Sequence, residues 1–292
     1  MKNYLKISTF IAFGLLLFGV IGLTAAGGLD KSERALSIFS KAEYQLSEEI
    51  YITDYNSNYN LLIDSSNTEV EVKIGPKFLI QSYYYNEDDI LNIDVNQTTA
   101  EITEEKWYLN IFNGCIFCQR GSKIIVSVPE DIILDTNITV ANGKFDFQEL
   151  TMSKLKMKLT NGDVMLADNI ILDVVDIKLT NGDIKIANMT LEKEMTISNV
   201  NGDIEFDNTN GTLFTAKTVN GEIAGTNYTG TELLFETTNG GIEVYDIYAK
   251  DVTLETVNGS LFLSNSNFEY VIEKLDAKTV NGEKDIIANY RR

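Results

Sequence analysis

Three sets of residues have the types and spacing for chemistry. The first is Cys115 and Cys118, a CIFC pair and the only cysteines in the 292-residue chain. A zinc site takes about four ligands, and the sequence offers neither a second CxxC nor any histidine. A thioredoxin-like role needs a βαβ setting, whereas the surroundings read as strand. In an oxidising compartment the pair could close a small disulfide ring; reduced, it would be two inert thiols. The second set is acidic: Asp163, Asp183, Asp203, Glu222 and Glu283 each stand two places after an asparagine. Stacked about 5 Å apart they would repel, which invites a bridging cation. A solvated face neutralised by lysines such as Lys158 and Lys178 is the plainer expectation. The third set is Tyr83, Tyr84 and Tyr85. Alternation turns at least one ring outward, suiting glycan or protein contact. An edge strand with ordinary tyrosine enrichment explains the run as well.

What is missing weighs more. Without histidine the chain lacks the commonest general base and metal ligand. It has four arginines, none between Arg120 and Arg291, and its carboxylates are spread by a period, not gathered in a pair. Cleavage of polysaccharide needs such a pair or a charge-neutralising cation, so a polysaccharide-active β-helix enzyme is disfavoured. The expectation is a protein that is not an enzyme, with no cofactor, no metal and no small-molecule substrate. A net charge of −19 repels nucleic acid phosphates, so no nucleic-acid partner is expected.

The elements that carry these residues are set by a repeat. Asn-Gly recurs as Asn142-Gly143, Asn161-Gly162, Asn181-Gly182, Asn201-Gly202, Asn220-Gly221, Asn239-Gly240, Asn258-Gly259 and Asn281-Gly282, at spacings of 19, 20, 20, 19, 19, 19 and 23. A further Asn-Gly at Asn210 is out of phase. With each asparagine as position zero, positions −4, −2, +3 and +5 are mostly apolar, as in Met157, Leu159, Val164 and Leu166, and polar residues such as Lys156 and Lys158 fall between. That is period two on both sides of a tight corner, so both arms are strands with one buried face. Asn-Gly tolerates positive φ and makes the corner. It could close the hairpins of an antiparallel meander or turn the corners of a β-solenoid. The constant period favours the solenoid: position zero of one coil then lies about 4.8 Å from that of the next, and the asparagines can bond as a ladder. Lys284 breaks the apolar +3 column in the last copy, as suits a terminal coil whose open edge must be blunted.

Before the repeats, Asn60–Asp64, Glu69–Ile74, Phe78–Tyr85, Ile90–Val95, Trp107–Phe112 and Lys123–Val128 read as strands between polar loops. They are expected to form an irregular β cap over 50–135, continuous with regular repeats over 136–292, in a single domain spanning 50–292. Ahead of it, Lys2 and Lys6 precede an apolar run from Ile7 to Leu23. The reading is one transmembrane helix within residues 1–28, N-terminus cytoplasmic and C-terminal domain extracytoplasmic; a cleaved signal segment ending near Ala26 is the alternative. Asp30 with Glu33, then Leu36, Phe39, Leu46 and Ile50, predict a juxtamembrane helix over 29–49.

The anchor, the strand-rich lead-in, the run IIVSVPEDIILDTNITVANGKFDF at 124–147 and the repeats LTNGDV, LTNGDI, NVNGDI, TVNGEI and TVNGSL resemble the DUF4097 β-strand repeat family, known as a putative adhesin family, over roughly residues 50–285. The resemblance implies a bacterial cell-envelope protein, and similarity of some members to envelope-stress components implies a regulatory alternative. It supplies no catalytic residues. The expected function is a membrane-anchored adhesin or envelope scaffold whose partner is an envelope component or membrane protein; the alternative is a regulatory partner of an envelope-stress sensor.

Overall fold

The structure is a computed structural model and describes residues 44–85, 90–104 and 121–291. The anchor of residues 1–28, most of the expected juxtamembrane helix, the Trp107–Phe112 strand and both cysteines lie outside the described residues. Among the described residues there is no helix, hence none long and apolar enough to cross a membrane.

The chain begins with β1 (Gln45–Tyr51), β2 (Asn58–Ile74), β3 (Leu79–Tyr84), β4 (Leu91–Val95), β5 (Thr99–Glu104) and β6 (Ser122–Val128). The stack continues with β7 (Ile133–Asn142), β8 (Phe145–Gln148), β9 (Thr151–Asn161), β10 (Val164–Ala167), β11 (Ile170–Asn181), β12 (Ile184–Ala187), β13 (Thr190–Leu191) and β14 (Glu194–Ser198). It ends with β15 (Ile204–Asn220), β16 (Ile223–Asn239), β17 (Ile242–Asn258), β18 (Leu261–Ser264), β19 (Val271–Ile272), β20 (Lys274–Asn281), β21 (Lys284–Ile287) and β22 (Asn289–Tyr290).

From β7 onward every strand pairs in parallel with its equivalent one period away: β9 with β7 and β11, β16 with β15 and β17. The pairing puts asparagine opposite asparagine, as in Asn161↔Asn181 and Asn220↔Asn239. A meander would pair neighbours antiparallel; the chain is therefore a β-solenoid. Alternation decides which face is buried. In β9, Leu155, Met157 and Leu159 point into the core while Lys156 and Lys158 stand outside. The +3 column runs Phe145, Val164, Ile184, Ile204, Ile223, Ile242 and Leu261, each 2% exposed or less. Burying one such side chain contributes about 1.5–3 kcal/mol. In the middle coils aromatic rings fill the axis, with Phe214 edge-on to Phe206 at 5.5 Å and to Phe235 at 5.0 Å.

A second corner falls seven residues after each asparagine from Asn142 to Asn239. There Glu149, Asp168, Asn188, Asn208, Asn227 and Asp246 adopt φ between 48° and 61°. Asparagine and aspartate tolerate this left-handed region better than other residues with a Cβ. The coils from Asn161 to Asn239 thus turn once at Asn-Gly and again at an aspartate or asparagine, and the Asn142 coil does so at Glu149.

The lead-in corrects two expectations. Residues 45–49 end no helix; they belong to β1, which pairs antiparallel with β3. Ile50 faces inward against the core and Glu49 accepts from Gln81 Nε2 at 2.7 Å, so pairing with a sheet edge overrides the helical spacing of Leu46 and Ile50. Residues 58–74 are not part of an irregular cap. β2 is a full coil: its first arm lies under β7 (Asn58↔Ile133 through Asn67↔Asn142) and its second under β8 (Val70↔Phe145). On its other side β5 and β6 run parallel to the same two arms. β4 and β3 then close that end, antiparallel to β5 and β6.

Candidate functional surface

The asparagine column is a continuous hydrogen-bonded ladder. Asn161 Nδ2 donates to Asn142 Oδ1 at 2.6 Å, Asn181 to Asn161 at 2.7 Å, Asn201 to Asn181 at 2.7 Å and Asn220 to Asn201 at 2.7 Å. Asn239, Asn258 and Asn281 continue it, each at 2.8 Å. The ladder starts one rung earlier than the Asn-Gly motif reveals, because Asn142 donates to Asn67 Oδ1 at 2.7 Å. The glycines are required by the coil next door. A Cβ on Gly202 would lie 2.0 Å from the Gly182 carbonyl oxygen, and one on Gly240 1.9 Å from that of Gly221. At Gly162, Gly182 and Gly202 a φ of 131–139° adds a conformational demand.

The acidic +2 column holds backbone. Asp163 Oδ1 accepts the N–H of Asp183 at 3.1 Å, Asp183 that of Asp203 at 2.9 Å, and Asp203 that of Glu222 at 2.8 Å. Each of these three carboxylates thus ties its coil to the next. Glu222 ends this run, and its carboxyl is pushed up by burial and by nearby Glu243, Asp203 and Glu205. Glu283 departs from the pattern, its N–H meeting Ser260 Oγ at 3.4 Å. Among the described residues no group of three or more acidic, cysteine or histidine side chains is placed to hold a metal.

The second corner carries a shorter ladder that the sequence reading missed: Asn188 Nδ2 donates to Asp168 Oδ1 at 2.9 Å and Asn208 to Asn188 at 2.8 Å. Buried Asn169 accepts from the Leu150 N–H at 2.9 Å and donates to the Phe147 carbonyl at 2.8 Å; Asn265 does the same at both Ile247 backbone groups, at 2.8 Å. Aspartate or asparagine seven places after the asparagine in six of the eight Asn-Gly copies was the available signal.

Of the three tyrosines, Tyr83 and Tyr84 lie in β3, half-buried, with Tyr84 Oη donating to Gln45 Oε1 at 3.1 Å. They stand in a strand paired on both sides, with β1 and β6, and form no exposed platform.

One shallow groove of about 400 Å³ crosses the strands that follow the asparagine corner in four adjacent coils. Its walls carry both signs: Lys123, Lys144 and Lys185 against Glu71, Asp146 and Asp183. Lys73 and Lys123 hold the Glu71 carboxyl below its ordinary range, and Glu205, 2.9 Å from Lys185, raises that ammonium. The groove therefore presents charges of both signs beside apolar Val70, Phe145 and Val164.

The chain belongs to the Toastrack DUF4097 family, which it matches over residues 58–232. No curated protein matches it. Two solved structures share the fold. One is of a putative adhesin from Parabacteroides merdae: TM-score 0.51, 11% identity, covering 86% of this chain and 98% of that one. The other is of a putative lipid binding protein from Parabacteroides distasonis: TM-score 0.50, 15% identity, covering 84% and 98%. At these identities the likeness is one of fold alone. The fold and the family fit a non-enzymatic β-repeat protein.

Proposed function

We propose that this is a membrane-anchored, extracytoplasmic protein of the cell envelope that presents a repetitive β surface for binding, as an adhesin or envelope scaffold. The observation that supports the reading most is the use made of the acidic column. Side chains that could have been gathered into a reactive site are instead spaced along the stack and bonded to the next coil's backbone. What remains for function is a rigid array of outward side chains, and stacks of this kind bind by shape and periodic charge. Similarity to a putative adhesin makes the cell wall the first ligand to try, and similarity to a putative lipid binding protein makes membranes the second.

The test is co-sedimentation of the detergent-solubilised full chain with cell-wall sacculi and, after reconstitution, with protein-free vesicles, at low and high salt. Saturable binding to sacculi that survives high salt is the expected result. Absence of binding to both would overturn the adhesive reading and favour a protein partner in the membrane.

A further inference from the structure

The outer face of the strands that precede the asparagine corner is electrically two-sided. Seven residues before each asparagine, the column runs Asp135, Lys154, Val174, Glu194, Leu213, Glu232, Asp251, Lys274. Three residues before, it runs Thr139, Lys158, Lys178, Ser198, Lys217, Glu236, Glu255, Lys278. In these columns Lys154, Lys158 and Lys178 stand on the second and third coils and Glu232, Glu236, Asp251 and Glu255 on the sixth and seventh, with Lys274 and Lys278 on the last. Lys158 lies directly beside Lys178, and Glu236 directly beside Glu255. Like charges in adjacent strands are unfavourable. Ion pairs inside the chain relieve this in part: Lys178 with Asp176 at 3.1 Å, Lys217 with Glu236 at 2.7 Å and Lys278 with Glu255 at 3.1 Å. Lys158 has no ion-pair partner among the described residues. On the two central coils Glu194 and Lys217 carry opposite charges, and Val200 and Val219 are exposed at 40% and 41%.

We infer that this face is the docking surface for a second copy of the chain, packed face to face about a two-fold axis that runs along the strands between the Asn201 and Asn220 coils. Such an axis reverses the order of the coils and keeps each column over itself. Lys158 of one copy then opposes Glu255 of the other, and Lys178 opposes Glu236. In the other column Lys154 meets Asp251 and Asp135 meets Lys274. Val200 falls on Val219 at the centre. Across these columns no like charges oppose each other. An isologous interface requires this self-complementarity, and a face evolved only to stay in water has no need of it. Strands of about eight residues over eight coils give a face of order 900 Å² per copy, within the range of stable protein interfaces. Two flat sheets pack with their strands within about 30° of alignment, as this arrangement asks.

The experiment uses the detergent-solubilised full chain, as an equal mixture of isotopically light and heavy copies. Zero-length carbodiimide crosslinking and mass spectrometry are followed by sedimentation of the unreacted protein. Lys158 and Glu255 are five coils apart, about 24 Å within one copy, so a link between them must join two copies. A mixed light–heavy Lys158–Glu255 link is expected. K158E or E255K alone should weaken the dimer at least ~10-fold, and the K158E/E255K double variant should return to within ~3-fold of the original, because the pair is restored with its signs exchanged. Absence of the mixed link overturns the inference. So does a double variant that folds, by circular dichroism, but dimerises no better than the single ones.

Discussion

The Asn67 coil and the Asn201 coil occupy equivalent places in the same stack, yet one follows its asparagine with Thr68 and the other with Gly202. Gly202 lies directly over the carbonyl of Gly182 and has no room for a Cβ. Thr68 faces the start of β6, where its Oγ1 sits 2.8 Å from Ser122 Oγ and accepts from Ser65 Oγ at 2.7 Å. At this position, inside β2 and without a positive φ, the chain accepts a β-branched residue. Glycine is imposed by the carbonyl of a coil stacked below, at Gly143 over Thr68 as at Gly202 over Gly182, whereas Thr68 itself has the start of β6 beside it.

The sharpest way to break this comparison is to exchange the residues. Gly202→Ala should destabilise by ~3 kcal/mol or more in urea unfolding, because it combines a backbone collision with a φ of 131°. Thr68→Gly should cost only ~1 kcal/mol, the value of its hydroxyl contacts and lost chain stiffness. Equal effects would show that the turn, and not the neighbouring coil, demands glycine. Next come the ladder rungs. Asn201 donates to Asn181 and accepts from Asn220, so Asn201→Ala should cost ~1–2 kcal/mol; Asn67 only accepts along the column, and Asn67→Ala should cost about half as much. Two changes should stabilise. The hydroxyls of Ser82 in β3 and Thr136 in β7 are buried without a hydrogen-bond partner, so Ser82→Ala and Thr136→Val should each raise the unfolding free energy by ~0.5–1 kcal/mol.

The smallest expected effect concerns Glu222. Its carboxyl is raised in the folded state, so the fold takes up a proton more readily than the unfolded chain there. That contribution favours the fold below the unfolded value and is lost as pH rises through the folded one. Glu222→Gln should therefore flatten the pH dependence of the melting temperature in the weakly acidic range and add a few tenths of a kcal/mol at neutral pH, the scale of exposed charges. A steeper dependence in the variant would contradict the assignment.

How much of this was legible beforehand follows from what stacks on what. The coils from Asn142 onward could be read because chain order and stack order coincide and each corner announces itself with Asn-Gly. The Asn67 coil had the right alternation, with Val70 and Val72 buried at +3 and +5, but not the glycine, and its partner β7 starts after four further strands and a turn. Residues 69–74 were recognisable as a strand but not as part of a coil. The helix expected up to residue 49 failed for a tertiary reason: the open edge of β3 recruits β1 whatever its local spacing. The acidic column was found, but its role was not, since a carboxylate bound to the N–H of the next coil looks in sequence like any solvated aspartate.

The place of β2 also bears on how the molecule carries load. In a simple solenoid the first coil of the chain is the last of the pile, and tension at that terminus peels it away one bond at a time. Here the earliest coil is clamped between β5 and β6 on one side and β7 and β8 on the other. A pull from the N-terminal side would first strip β1 from the edge of β3, and would then have to slide β2 out from between two neighbours, breaking many bonds together. Under such a load the stack would give way at β1 and hold at β2.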